Sequence, residues 1–181
     1  MRRARSAGVL ALATLLACRA QEKAPEVSGL IADLRGADSG KSGQANLALI
    51  RIGEPAVPEL IEMLRGEDPR LRGIAASTLW GMGPKGKAAV PALAETLSDK
   101  DPALRTSAAM ALESMGAEAR DAVPALARVL GDHDNRPRQA AVRALGAMGP
   151  AAREALPALT HATKRISWPE AEEAIRLIQG R

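Results

Sequence analysis

The residues able to do chemistry are few, and they sit in telling places. Cys18 is the single thiol of the 181-residue chain, so no intramolecular disulfide can form. Asp132-His133-Asp134-Asn135 sets carboxylates and an imidazole side by side, the residue types of a metal site. That stretch, however, falls in a turn between two apolar helical patterns. There Asp and Asn serve as helix caps and turn formers. The other histidine, His161, stands alone. No paired carboxylates, glycine-rich phosphate loop or Ser/His/Asp set occurs at a persuasive spacing. No catalytic residue, metal or cofactor is expected, and the chain reads as a non-enzyme.

What does recur is structural. Pro58, Pro91, Pro124 and Pro157 are evenly spaced, and Asp68, Asp101 and Asp134 keep the same interval, as do Arg72, Arg105 and Arg138. Three columns on one period mean a stack of one supersecondary unit, each packing on its neighbours. Every unit opens with an apolar helix: Val57, Leu60, Ile61 and Leu64 follow the i, i+3, i+4, i+7 spacing of one helical face. Val90, Leu93 and Leu97 repeat it, then Val123, Leu126 and Leu130. A turn carries the Asp. A second helix then reads Leu71-Arg72, Ala75-Ala76, Leu79, Met82-Gly83, with counterparts one and two periods on. The alanine pairs let helices approach closely. Each closing glycine is expected to be a left-handed helix cap. Pro84 and Pro150 then open the next helix, inside which Pro91 and Pro157 should produce a kink. The frame predicts five helix pairs over about 27–53, 54–83, 84–116, 117–149 and 150–181. The connection after Gly53 is three residues shorter than its counterparts.

The pattern V-P-x-L-x-x-x-L…D…L-R-x-x-A-A-x-x-L-x-x-M-G resembles the HEAT repeat over residues 27–181. It is similar to the HEAT-like class first noted in phycobilin lyases and common in bacterial envelope proteins. The resemblance implies an all-α, right-handed α-solenoid of about five HEAT-like helix pairs. It also implies a ladder in which the turn Asp and the second-helix Arg bond between successive repeats. The rungs would be Asp68 and Arg72, Asp101 and Arg105, and Asp134 and Arg138, a pairing that suits the guanidinium fork. The ladder lapses at the ends, where Ser42 stands in the first Arg column and Ser167 and Ala171 in the last Asp and Arg columns. Ankyrin repeats share the period, but no T-P-L-H signature appears. Tetratricopeptide repeats need aromatic positions, and the chain has neither Tyr nor Phe.

Residues 1–17 read as an address and not as fold. Arg2, Arg3 and Arg5 precede an apolar run from Ala7 to Ala17, too short to span a bilayer. The run ends Leu15-Leu16-Ala17-Cys18, which resembles the lipobox of bacterial lipoproteins. The resemblance implies cleavage before Cys18 and lipidation of its thiol. It places the mature protein in the bacterial cell envelope, palmitate-bearing, on the outer membrane facing the periplasm. An ordinary secretory signal with an incidental cysteine is the alternative. Residues 18–26 then form the lipidated cysteine and a short polar tether, leaving 27–181 as the repeat domain. Cleavage removes three arginines and leaves 22 basic against 21 acidic residues. A nucleic-acid partner needs a basic stripe, so none is expected.

The remaining signal is surface. In HEAT solenoids the second helices line the concave face. The positions there that break the repeat are Leu47 and Ile50, then Ser77 and Trp80, then Met110 and Glu113, then Arg143. Leu47, Ile50, Trp80, Met110, Glu113 and Arg143 are the candidate contacts for a protein or peptide partner, the chain itself being a monomer. Trp80 stands out because its counterparts are Ile50, Glu113, Gly146 and Gln179. A large exposed aromatic is an interface anchor. The alternative is that Trp80 fills a gap beside Gly81. The favoured function is a membrane-anchored scaffold holding a partner on its concave face. The rivals are a bilin lyase or isomerase, and a purely structural envelope protein.

Overall fold

The amphipathic faces fold as their spacing dictates. The computed structural model describes residues 24–36, 38–165 and 168–180. Cys18, the apolar leader, most of the tether and Ser167 lie outside the described residues. Among the latter, ten α-helices form five pairs. They are α1 (Ala24–Arg35) with α2 (Ser39–Ile52), α3 (Val57–Arg65) with α4 (Pro69–Met82), and α5 (Val90–Thr96) with α6 (Pro102–Met115). α7 (Val123–Val129) with α8 (Asn135–Met148), and α9 (Leu156–Arg165) with α10 (Pro169–Gln179), complete the stack.

Each of the second helices α2, α4, α6 and α8 starts on the same device. Asp38, Asp68, Asp101 and Asp134 take extended backbone at the N-cap, and each carboxylate accepts N–H groups of the first turn. Such a cap stabilises by about 1 kcal/mol. Pro69 and Pro102 follow it, where no intrahelical N–H is needed. The helices end at Gly53, Gly83, Gly116 and Gly149. Their φ is positive, as expected, but ψ lies between −132° and −136°. This is not the left-handed helical cap the sequence suggests. It is a region that essentially only glycine enters, and it turns the chain at once into the next repeat.

The expected proline-kinked first helix is in fact two elements. Gly83–Ala89, Gly116–Ala122 and Gly149–Ala155 are 3-10 segments, each followed directly by the α-helix. Pro91 has no N–H to return to Lys87. Instead the Val90 N–H bonds the Lys87 carbonyl three residues back, and the α-helix starts there. Pro91 and Pro124 therefore occupy the first turn, where a proline costs nothing. The shorter connection after Gly53 appears as a single 3-10 turn, Glu54–Ala56.

One core runs the length of the stack. Leu60, Leu93, Leu126 and Leu159, each one period from the last, are fully buried, as are Leu79, Leu112 and Leu145 of the second helices. The alanine pairs Ala75-Ala76 and Ala108-Ala109, and Ala141-Val142 in the same columns, are equally buried. They let α4, α6, α8 and α10 pack on one another far more extensively than the first helices α3, α5 and α7 do. That inequality curves the stack, with the second helices on the inside.

Candidate functional site: the inner face and its rungs

Two kinds of polar and apolar side chain escape the core: those that tie repeats together and those left facing outward. The ties come first because they fix where the rest can point. Arg72 of α4 donates through Nε to the Leu64 carbonyl at 3.0 Å and pairs with Asp99 of the next repeat. Arg105 of α6 grips Asp132 of the following repeat with both edges of its fork, Nε to Oδ2 at 2.6 Å and Nη2 to Oδ1 at 2.7 Å. Its Nη1 rests on the Asp99 and Lys100 carbonyls at 2.8 and 3.3 Å. The ladder thus runs through Asp99 and Asp132, two residues before the expected aspartates. Asp68, Asp101 and Asp134 are occupied as helix caps, with their carboxylates turned onto the backbone of their own helices. The capping carboxylates are turned onto their own helices, and the two jobs fall to two columns.

These pairs are sheltered. The Arg105 and Asp132 side chains are 15% and 9% exposed. The Arg105 guanidinium holds the Asp132 carboxyl below the ordinary carboxylate range, against the opposing effect of burial. Burial pushes Asp99 upward, yet the Asp101 N–H and the Arg72 guanidinium outweigh it, and this carboxyl too lies low. The Asp132-His133-Asp134-Asn135 stretch is therefore engaged in structure. Asp132 is a rung, Asp134 caps α8, the Asn135 side chain accepts from Arg138 at 3.1 Å, and the His133 carbonyl accepts from Arg138 at 3.2 Å. Among the described residues no three His, Cys, Asp or Glu side chains gather as metal ligands.

The inner helices present the candidate partner contacts unequally. Leu47 on α2 is 59% exposed and Trp80 on α4 is 51% exposed. Ile50 and Met110 are instead half-buried and packed against the core. Ile50 fills the space left by Gly81: a Cβ there would lie 2.5 Å from its Cδ1. Gly81 thus accommodates the isoleucine of the preceding repeat, while Trp80 points out. Glu113 on α6 and Arg143 on α8 pair with each other across the repeats at 3.2 Å. The trail expected from the sequence therefore reduces to two open apolar side chains followed by a self-paired charge couple. One exposed position lies outside the expected set. Leu177 on α10 is 46% exposed, and the signal that could have found it is its column, which elsewhere holds Ala48, Thr78, Ala111 and Ala144.

An all-α superhelix of stacked helix pairs, tied by arginine rungs and curved around its second helices, is a right-handed α-solenoid. A family profile described as HEAT repeats matches residues 57–120 and 116–178. The chain belongs to the HEAT repeat family. No curated protein sequence matches it. Among solved structures it is similar to a chain in the complex of CpcE and CpcF of phycocyanin lyase from Nostoc sp. PCC7120. The identity is 20%, the TM-score 0.67, with 84% of this chain and 97% of that one covered. It is similar also to a designed armadillo repeat protein in complex with the peptide (KR)4, at 18% identity and TM-score 0.65, covering 88% and 85% of the two chains. A computationally designed armadillo repeat protein for modular peptide recognition matches at 18% identity and TM-score 0.60, with 89% and 84% covered. At these identities the likeness is one of fold.

Proposed function

We propose that this protein is a lipid-anchored, non-catalytic scaffold of the bacterial cell envelope. It is a monomer that holds a protein or extended peptide partner along its inner face. The observation that carries the reading is the exposure of Trp80 and Leu47 on adjacent inner helices, in a fold whose other large apolar side chains are almost all packed. An open indole beside a leucine is the composition of an interface anchor. The Glu113–Arg143 pair, already neutralised, makes a polar border to that patch. The peptide complex of one designed armadillo protein supports the mode of binding, since an inner face built of parallel second helices offers an extended groove. The anchor rests on the sequence: the lipobox-like Leu15-Leu16-Ala17-Cys18, followed by Arg19 rather than an aspartate that would favour inner-membrane retention.

The lyase reading has likeness of fold alone behind it, and fold does not carry chemistry. A purely structural spacer would leave Trp80 without a task. The deciding experiment is crosslinking and pull-down from the native envelope with the wild type, Trp80→Ala and Leu47→Ser. Loss of the same captured protein in both variants, with helical circular dichroism intact, is the expected result. Full capture by Trp80→Ala defeats the assignment of the inner face.

A further inference from the structure

The repeat supplies its own control for an unassigned site. Between the third and fourth repeats lies a cleft of about 360 Å³ bordered by Leu97, Asp99, Arg105 and Asp132. One period along, the same positions are Leu130, Asp132 and Arg138, with residue 165 in the place of Asp132. Leu130, Asp132 and Arg138 border a larger cavity, about 520 Å³, between the fourth and fifth repeats. The arginine is docked identically in both. Arg105 Nη1 donates to the Asp99 and Lys100 carbonyls, and Arg138 Nη1 to the Asp132 and His133 carbonyls at 2.8 and 3.2 Å. In the first cleft the rest of the fork holds the Asp132 carboxylate. In the second, residue 165 is an arginine and supplies no carboxylate. Arg138 Nη2 gives a single bond to Asn135, and its Nε has no partner among the described residues.

We propose that this cavity binds a carboxylate carried on an apolar body, gripped by Arg138 as Asp132 is gripped by Arg105 one repeat earlier. The surroundings fit that chemistry. Arg128 borders the cavity beside Arg138, and Asp132, the one carboxylate among the described residues lining it, is already taken by Arg105, so the unspent charge of those residues is positive. Leu130 and the Trp168 indole supply an apolar wall. The volume lies within the roughly 300–1,000 Å³ common for small-ligand sites. A bidentate guanidinium selects a planar carboxylate over a neutral isostere. The acid has two sources, a free small molecule or the C-terminal residue of a peptide.

The full-length protein carrying Trp80→Phe leaves Trp168 as its only tryptophan, so its fluorescence reports this cavity alone. Four probes are titrated: phenylacetate against phenylacetamide for a free acid, and N-acetyl-leucine against N-acetyl-leucinamide for a peptide terminus. In at least one pair the acid is expected to bind about tenfold or more tightly than its amide, and the tighter pair identifies the source. Arg138→Gln is expected to abolish that preference, while the exposed Arg176→Gln leaves it unchanged. Because the acid–amide comparison uses unaltered Arg138, it holds even where Arg138→Gln disturbs folding. Equal binding of acid and amide in both pairs overturns the proposal, as does the absence of any response. Neither outcome touches the role assigned to Trp80, which is read by pull-down.

Discussion

Replacing Arg105 with alanine removes four donor contacts at once. Two go to Asp132 and two to the Asp99 and Lys100 carbonyls. Asp132 keeps only the Asp134 N–H, which donates to its Oδ1 at 2.9 Å. Breaking a fully buried ion pair costs about 3–5 kcal/mol. This pair retains some solvent access, 15% and 9% for its two side chains, so water recovers part of the loss. An expected cost is about 2–3 kcal/mol. Arg176 provides the contrast: it pairs with Glu173 within its own helix, and both side chains are more than half exposed. Its loss should cost no more than about 0.5 kcal/mol. Urea melts followed by circular dichroism measure both. A double-mutant cycle then separates the rung from the cap, because Arg105 should couple strongly to Asp132→Asn and weakly to Asp101→Asn. Equal coupling to the two aspartates, or equal cost of Arg105→Ala and Arg176→Ala, refutes the rung assignment.

The rungs and the cap of α8 also set an acid limb. Asp99, Asp132 and Asp134 have folded-state pKa values below their ordinary ones. Each therefore contributes stability that is fully present above the unfolded pKa of about 4 and is lost as pH falls through the folded value. Melts from pH 6 to 2 should show a steep loss below pH 4, and Asp132→Asn should flatten it. A glycine pair tests the backbone argument. Gly116→Ala should destabilise by about 1–3 kcal/mol through its φ of 56° alone, since the added Cβ meets nothing nearer than the Ala147 carbonyl at 3.7 Å. Gly73→Ala, inside α4 with nothing within 4 Å of the new Cβ, should instead stabilise by about 0.5–1 kcal/mol. At the other end of the chain, Cys18→Ala is expected to abolish labelling by a palmitate analogue and to release the protein from the membrane. An unlabelled wild type removes the lipid anchor from the proposal.

The solenoid was readable because its signals are redundant. One period appears independently in proline, aspartate, arginine and alanine columns, and each column reflects a different constraint, from capping to close helix approach. The break at Pro91 was legible only in part. Sequence shows that a proline sits where a helix is continuing. It does not show that the preceding segment, Gly83–Ala89, can tighten into a 3-10 helix whose last bond, from the Val90 N–H to the Lys87 carbonyl, makes the missing N–H irrelevant. The chain changes helix type before the proline, and in Gly116–Ala122 and Gly149–Ala155 the bend falls earlier, at Ala119 and Ala152. The sequence locates the glycine caps but not their ψ, because glycine permits a positive φ where a helix must stop, whereas ψ is set by where the next repeat must begin.

The rung aspartates show the sharper limit. Asp99 and Asp132 form a column of only two, since Gly66 precedes them and Arg165 follows. A two-member column is invisible beside the three-member column of Asp68, Asp101 and Asp134 just two residues away. Frequency pointed to the wrong carboxylate. What would have found the right one is satisfaction of groups rather than recurrence. A helix N-terminus needs an acceptor at its cap whether or not a neighbour reaches it, and α2, α4, α6 and α8 each have an aspartate there. A rung carboxylate has a task only where the preceding repeat offers an arginine, and Gly66 follows a repeat with Ser42 in that column, so the rung column is the less regular of the two. On the same reasoning, the last arginine of the ladder, Arg138, is where the repeat leaves a fork without its carboxylate. Recurrence locates the structure of a solenoid, and the place where a recurring contact runs out locates what the structure can still bind.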